Sequence, residues 1–370
     1  MVRSPSTTDL RLPIKVFDFF SGCGGTSRGF RNAGMDVVFA LDNDPDAART
    51  FKQNLPGIHF VCDDIQNVSC EALQPLIDEC KGHPILFSGC APCQPFTKQK
   101  TTRHSDDDRR VLLNEFRRFV KHYQPEFVFI ENVPGMQKVG QEEGPLAEFL
   151  ATLKGLAYKE AVAIVSSREY GVPQRRRRLV VVASRLGPIE IPLKTHGPGT
   201  ASPEFSKVRE WIQDLPDIAA GETHPSDPNH RAALLSPLNM ERIRAIPPGG
   251  DRLSWPDHLR LRCHSNGYRG HTDVYGRMRW DQPASGLTTR CISLSNGRFG
   301  HPQQDRAISV REAACLQTFP RDFVFYGSLN SMARQIGNAV PVLLAERLGR
   351  NFIQHFTAFD HTSTSQHNSA

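Results

Sequence analysis

Five short apolar runs, at residues 14–20, 37–41, 58–62, 85–87 and 127–130, constrain the fold of this chain more than any other feature. Each has strand length, and polar residues gather at their carboxyl ends, among them Asp42, Asp63-Asp64 and Glu131-Asn132. Helical stretches separate them. Residues 26–33 can form a helix after the glycines at 22, 24 and 25, and Asp44 can cap a second helix with Pro45 at its first position. Strands spaced by helices require right-handed crossovers and a parallel sheet, whose ligands bind beyond the carboxyl ends of the strands. Two later runs, 159–165 and 179–184, leave no room for a helix between them and are expected to pair antiparallel at the sheet edge. The expected class is α/β, a doubly wound, mostly parallel, Rossmann-like sheet.

From residue 187 to about 325 the texture changes, with Pro, Gly, Arg and His frequent and periodicity poor, which suits a smaller inserted domain. Apolar residues at helical spacing, Val340, Leu343, Leu344, Leu348, Phe352 and Phe356, then bring the chain back. The expected division is a first domain over 14–186, an insertion over 187–325 and a return over 326–357. The polar stretches 1–12 and 359–370 are expected to be frayed tails. Within 251–300, eight arginines face four aspartates and no glutamate, a local charge of +4. Trp255, Tyr268, Tyr275 and Trp280 interleave with them, a mixture suited to phosphate contact and base stacking, and equally to a solvated basic face. Over the whole chain 45 Lys and Arg against 39 Asp and Glu give +6, which permits a polyanionic partner without requiring one. No apolar run approaches the roughly twenty residues that span a bilayer, so no membrane partner and a cytoplasmic location are expected. Nine cysteines, an odd number without a dense pattern, are expected to be free thiols.

Gly22-Cys23-Gly24-Gly25 follows the first run, and Asp42 lies about twenty residues on, where a ribose hydroxyl would be held in a nucleotide-binding turn. The dinucleotide fingerprint is broken, because Ser27 stands where its third glycine belongs. A cofactor without pyrophosphate would not need that glycine. S-adenosylmethionine is one, with an adenosine for Asp42 and Asp64 and a methionine tail to lie over the turn. Cys90 and Cys93, in Ser88-Gly89-Cys90-Ala91-Pro92-Cys93-Gln94-Pro95-Phe96-Thr97, have the spacing of a redox dithiol or half a zinc site. No second CxxC or suitably spaced His pair completes the metal reading, so no metal is expected.

Taken in order, Asp18-Phe19-Phe20-Ser21-Gly22-Cys23-Gly24-Gly25, Ala91 to Thr97, Glu131-Asn132-Val133, Gln174-Arg175-Arg176-Arg177-Arg178 and Arg334 to Pro341 resemble the ordered motifs of the DNA cytosine-5 methyltransferases. The resemblance covers the chain from about Val16 to Phe356, apart from the middle of the inserted segment. It implies S-adenosylmethionine as cofactor, S-adenosylhomocysteine as product, duplex DNA as substrate, and a target recognition domain in the insertion. The nearest rival is an RNA-modifying member of the same family; a nicotinamide oxidoreductase with a CxxC centre is a more distant one.

By this resemblance Cys93 is the nucleophile that adds to cytosine C6, and Glu131 is the acid at N3. Arg176 should contact the pyrimidine O2 edge, and Arg178 should order the catalytic loop. Phe20, Ser21, Gly22, Cys23, Gly24, Gly25, Asp42, Asp64 and Asn338 should hold the cofactor. Gln94, Thr97, Arg277, Arg279 and Arg290 are expected at the DNA. Residues 98–110, without an apolar side chain, are expected to be a loop closing over it. Arg175 and Arg177, on the opposite side of an extended segment, are free for solvent or phosphate. A monomer is expected, with companion restriction or defence proteins as possible partners.

Overall fold

The computed structural model describes residues 12–91, 108–135, 144–264 and 273–367. The elements in chain order are β1 (Lys15–Phe19), α1 (Gly25–Ala33), β2 (Asp36–Asp42), α2 (Pro45–Asn54), β3 (His59–Cys62), α3 (Gln74–Glu79), β4 (Ile85–Gly89), α4 (Asp108–Tyr123), β5 (Phe127–Asn132), α5 (Pro145–Gly155), β6 (Lys159–Ser166), β7 (Gln174–Arg175) and β8 (Arg177–Ser184). There follow α6 (Arg209–Ile212), β9 (Thr223–His224), β10 (Asp227–Arg231), α7 (Pro237–Arg244), β11 (Ala284–Ser285), α8 (Val310–Leu316), α9 (Leu329–Asn338) and α10 (Val342–His367).

Seven strands form one sheet in the order β3-β2-β1-β4-β5-β8-β6. The first five are mutually parallel, and β8 and β6 run antiparallel at one side, as the missing crossover requires. The period-two alternation of β1 sends Phe17 and Phe19 to one face and Val16 to the other. The first face packs against Phe116 and Phe119 of α4 and Phe149 of α5. The second packs against Phe30 of α1 and Leu344, Leu348 and Phe352 of α10. The approach of α1 to α10 is close enough that a Cβ on Gly29 would run into the Val342 carbonyl oxygen. Asp44 caps α2 as its sequence requires, accepting from the N–H groups of Asp46 and Ala47, with Pro45 first in the helix.

A further cluster of buried side chains includes Val208, Met278, Cys291 and Ile308 together with Cys23, Met332 and Ile336, so the segment after residue 187 shares a core with the glycine turn and α9. A small satellite core gathers Ile243, Ile246, Trp255, Leu259 and Tyr275. Two expectations change here. α10 runs on to His367, where a frayed tail from residue 359 was expected, because no Gly or Pro stops it. α4 begins at Asp108, so 108–110 belong to a helix; residues 98–107 lie outside the described residues.

Candidate active site

The carboxyl edge of the sheet collects the motif residues. After β1 the chain turns through Phe20 (φ 58°), Gly22 (φ 53°) and Gly24 (φ 97°), all left-handed. For Phe20, a residue with a Cβ, that conformation costs of order 1–3 kcal/mol and has to be held by its surroundings. The holding bonds come from β2: Ser21 donates its N–H to the Leu41 carbonyl at 3.0 Å, and Gly22 donates its own to Asp42 Oδ2 at 2.8 Å. Asp42 Oδ1 accepts from the N–H of Asp44 at 2.9 Å. Burial pushes the Asp42 carboxyl pKa up, against these main-chain donors.

The glycines differ in purpose. A Cβ on Gly24 would meet Leu55 at 2.7 Å, so that glycine serves packing. Nothing lies within 4 Å of the place a Cβ on Gly22 would occupy, so there the turn presents bare main chain. Bare main chain beside a carboxylate at the next strand end fits S-adenosylmethionine. Cys23 is buried, its thiol pKa is raised by burial, and its Sγ donates to the Gln335 carbonyl at 3.6 Å. Asp64, after β3, is half-buried and caps a short turn by accepting from the N–H of Gln66 at 3.0 Å. Asn338 is exposed at the end of α9.

Glu131 stands at the end of β5, only 6% exposed. Because β8 runs antiparallel to β5, with Glu131 opposite Val180, the first residues of β8 arrive where the last residues of β5 depart. Arg178 Nε therefore lies 2.9 Å from Glu131 Oε1. The contact is electrostatic in kind, since no donor in the described residues makes a well-directed hydrogen bond to Oε1. Asn132, beside it, donates its amide N–H to the Ala91 carbonyl at 3.2 Å and so fastens the end of β5 to the segment leading to Cys93. Cys93, Gln94 and Thr97 lie outside the described residues. Cys90 is within them. Its thiol sits 3.9 Å from Thr26 Oγ1, and burial first, then the charges of Glu131 and Asp18, hold it neutral with a pKa well above the usual thiol value.

The two alternate arginines differ in their surroundings. Arg176 is 3% exposed, and its guanidinium donates to the carbonyls of Leu287 at 3.0 Å, Gly337 at 2.8 Å and Asn338 at 3.4 Å. The group expected at the pyrimidine O2 edge is thus committed to main chain, and Arg178 is the one beside Glu131. Arg175 and Arg177 point outward, as alternation requires, with Arg175 donating to Gln282 Oε1.

The expected DNA-reading arginines also divide. Arg277 is buried and donates to the carbonyls of Ile246, His301, Gln304 and Ile243 and to Asp305, which corrects its placement at the DNA: it holds the small core together. Trp255 and Tyr275, which the sequence offered equally for base stacking or for a solvated basic face, pack against each other in that core with ring centroids 4.9 Å apart. Arg279 is exposed but donates to the Gly249 carbonyl at 3.1 Å. Arg290 is exposed. Tyr268 lies outside the described residues.

The sequence reading gave no role to Asn132, Gln174 or Asp18, although all three stood inside its motifs. Asp18 is fully buried, accepts from Ser27 Oγ at 2.6 Å and Ser88 Oγ at 2.8 Å, and is pushed up to a pKa of about 6 by that burial. It joins the first helix to the strand that leads to Cys90. Among the described residues no group of three or more His, Cys, Asp or Glu side chains could hold a metal ion.

The sequence profile of C-5 cytosine-specific DNA methylases matches residues 14–354, nearly the whole described fold. The chain belongs to that family. The methylase is 38% identical over 341 residues to the Type II methylase M.HgiDII of Herpetosiphon aurantiacus, covering 91% of this chain and 94% of the relative. To the Type II methyltransferase M1.HphI of Haemophilus parahaemolyticus it is 32% identical, covering 91% and 86%. Among solved structures it resembles a prophage-encoded DNA modification methyltransferase from E. coli, with a TM-score of 0.69 at 23% identity over 92% of this chain and 99% of that one. The Dnmt2 methyltransferase of S. pombe gives a TM-score of 0.62 at 19% identity, over 93% and 99%. These two likenesses concern the fold. The methylase is a DNA cytosine-5 methyltransferase, and no helix among its described residues is long and apolar enough to cross a membrane.

Proposed function

We propose that the methylase modifies cytosine C5 at a specific duplex sequence through covalent addition of Cys93, with S-adenosylmethionine as methyl donor. The observation that carries this reading is Glu131 Oε1, a buried carboxylate oxygen at the carboxyl edge with an arginine beside it and no directed hydrogen bond among the described residues. A buried polar atom left in that state calls for a partner, and a cytosine offers one, its N4 amino group to a carboxylate oxygen or its N3 to a protonated carboxyl.

Bound S-adenosylmethionine supplies a methyl group on an electrophilic sulfonium and leaves as S-adenosylhomocysteine. Phe20, Ser21, Gly22 and Asp42 hold it, with Asp64 and Asn338 at the margins. A cytosine in a stacked duplex cannot reach Glu131, so the base is flipped out, at a cost of a few kcal/mol. The thiolate of Cys93 forms a bond to C6, the ring's electron pair moves toward C5 and N3, and Glu131, in its protonated form when the base is bound, gives that proton to N3 and becomes a carboxylate beside Arg178. After C5 is methylated, its proton passes to water, the Cys93–C6 bond breaks with the thiolate leaving, the C5–C6 double bond is restored, and N3 returns its proton to Glu131. Arg178 fixes Glu131, and Asn132 fixes the root of the Cys93 segment. Residues 14–186 and 326–357 form the catalytic domain, and 187–325 the target recognition domain. The relatives named Type II methylases support a modification role beside a restriction endonuclease; a monomer in the cytoplasm completes the reading.

Labelled methyl uptake into duplex DNA and into transfer RNA, followed by bisulfite sequencing of DNA from an expressing host, tests the reaction and reads the target. Methylation confined to one duplex motif is expected, and lost in Cys93→Ser with DNA binding retained. Uptake into transfer RNA alone, or a Cys93→Ser variant with substantial turnover, would overturn the reading.

A further inference from the structure

The residue pair Gln174 and Arg176 grips a single amino acid of the recognition segment from both sides. Gln174 Oε1 accepts the N–H of Leu287 at 3.1 Å, and Arg176 donates to the Leu287 carbonyl at 3.0 Å. Both side chains are at least 97% buried. The grip extends a short parallel pairing, in which β11 lies on β7 with Ala284 opposite Gln174 and Ser285 opposite Arg175.

The same two side chains also reach the end of α9. Arg176 donates to the Gly337 and Asn338 carbonyls, and Gln174 donates to Gln317 Oε1 at 2.7 Å, whose own amide donates to the carbonyls of Ile336 and Ala339. The three segments meet without slack: a Cβ on Gly337 would run into the main chain of Thr288 and Thr289. Two residues beyond Arg176, on the same side of the extended chain, Arg178 touches Glu131. Among the described residues no carboxylate lies within ion-pair distance of Arg176, Glu131 acting on it only from farther off, and its Nε–H is buried without an acceptor. A guanidinium placed only for stability would ordinarily have its charge compensated.

We propose that Arg176, assisted by Gln174, is a positioning residue that couples the recognition segment beginning at Leu287 to the cofactor side at Gly337-Asn338, so that DNA and cofactor strengthen each other's binding. This rests on the function proposed above. The physical basis is that a rigid donor fork holding carbonyls of two segments ties their positions together, and a ligand that orders one then costs less ordering at the other. Lysine can replace the charge but not the fork.

The test is the affinity of S-adenosylhomocysteine for the full-length methylase, by titration calorimetry, with and without a duplex carrying the site identified by bisulfite sequencing. In the wild type the duplex is expected to tighten S-adenosylhomocysteine binding by about 5- to 150-fold, the usual range of coupling between sites. In Arg176→Lys that ratio should fall toward one, while S-adenosylhomocysteine binding without DNA changes by about twofold or less and thermal unfolding stays cooperative. Arg176→Met should remove the coupling altogether; if it does not fold, Arg176→Lys alone decides. A ratio unchanged in Arg176→Lys overturns the proposal, and if turnover is lost as well, Arg176 acts at the cytosine after all. A wild type that binds both ligands without coupling also overturns it and leaves the proposed function standing. A wild type that binds neither overturns both.

Discussion

At the carboxyl edge of the sheet, buried polar groups keep hydrogen-bonding capacity in reserve; in the arginine-rich segment 251–300 they spend it internally. Glu131 Oε1 and Arg176 Nε are buried and lack a directed partner among the described residues. Arg277, equally buried, is surrounded by four main-chain carbonyls and the Asp305 carboxylate, and Arg298 is paired with Asp251 and Asp273. Both regions look rich in charge when read as sequence. They differ in whether that charge is satisfied by the fold, and unsatisfied polarity is what a ligand can use.

The comparison can be broken most decisively at Glu131. Glu131→Gln should keep the fold and lose about 100-fold or more of methyl transfer, the usual scale for a positioned acid. A steady-state assay beside a thermal melt checks this, and a variant that melts early but turns over normally would make Glu131 structural. Arg277→Met should do the reverse, lowering unfolding free energy by about 3 kcal/mol through the orphaned carbonyls. Urea titration reads the loss, and the surviving folded fraction should bind duplex as the wild type does.

Asp18 sharpens the contrast through pH. Its folded pKa of about 6 stands above the ordinary value of 3.8, so the neutral carboxyl is favoured in the native state. Its contribution is fully present below about pH 4 and is lost as pH rises through about 6. Over that window the unfolding free energy of the wild type should fall by about 2–3 kcal/mol relative to Asp18→Asn. Parallel curves for the two proteins would show that Asp18 does not titrate there. Arg290 should give the smallest effect. Arg290→Ala should change stability by less than about 0.5 kcal/mol and reduce the slope of log binding constant against log salt by about one. An unaltered slope would place Arg290 away from phosphate.

The five parallel strands, the antiparallel edge pair, the Asp44 cap and the place of Glu131 were legible because each rests on local pattern: strand-length apolar runs, a spacing too short for a crossover, an Asp-Pro start. Partners were not legible. Alternation put Arg176 and Arg178 on one side of the chain but could not say which would meet Glu131, because that depends on where antiparallel β8 begins relative to β5. Arg277, Trp255 and Tyr275 suggested nucleic acid by composition, and only packing showed them turned inward. Asn132 and Gln174 were hidden for a related reason, since most of their partners are main-chain groups, which carry no sequence signal.

The hydrogen bond from Cys23 to the Gln335 carbonyl joins residues 312 positions apart. During synthesis the cofactor turn therefore leaves the ribosome long before the helix that covers it. At about 5–20 residues per second the interval is on the order of fifteen to sixty seconds. Throughout it, Phe30 can rest only on the strands of its own half, and the face of the first helix that α10 will cover, where Gly29 meets Val342 and Ala345, stays open to solvent and to chaperones.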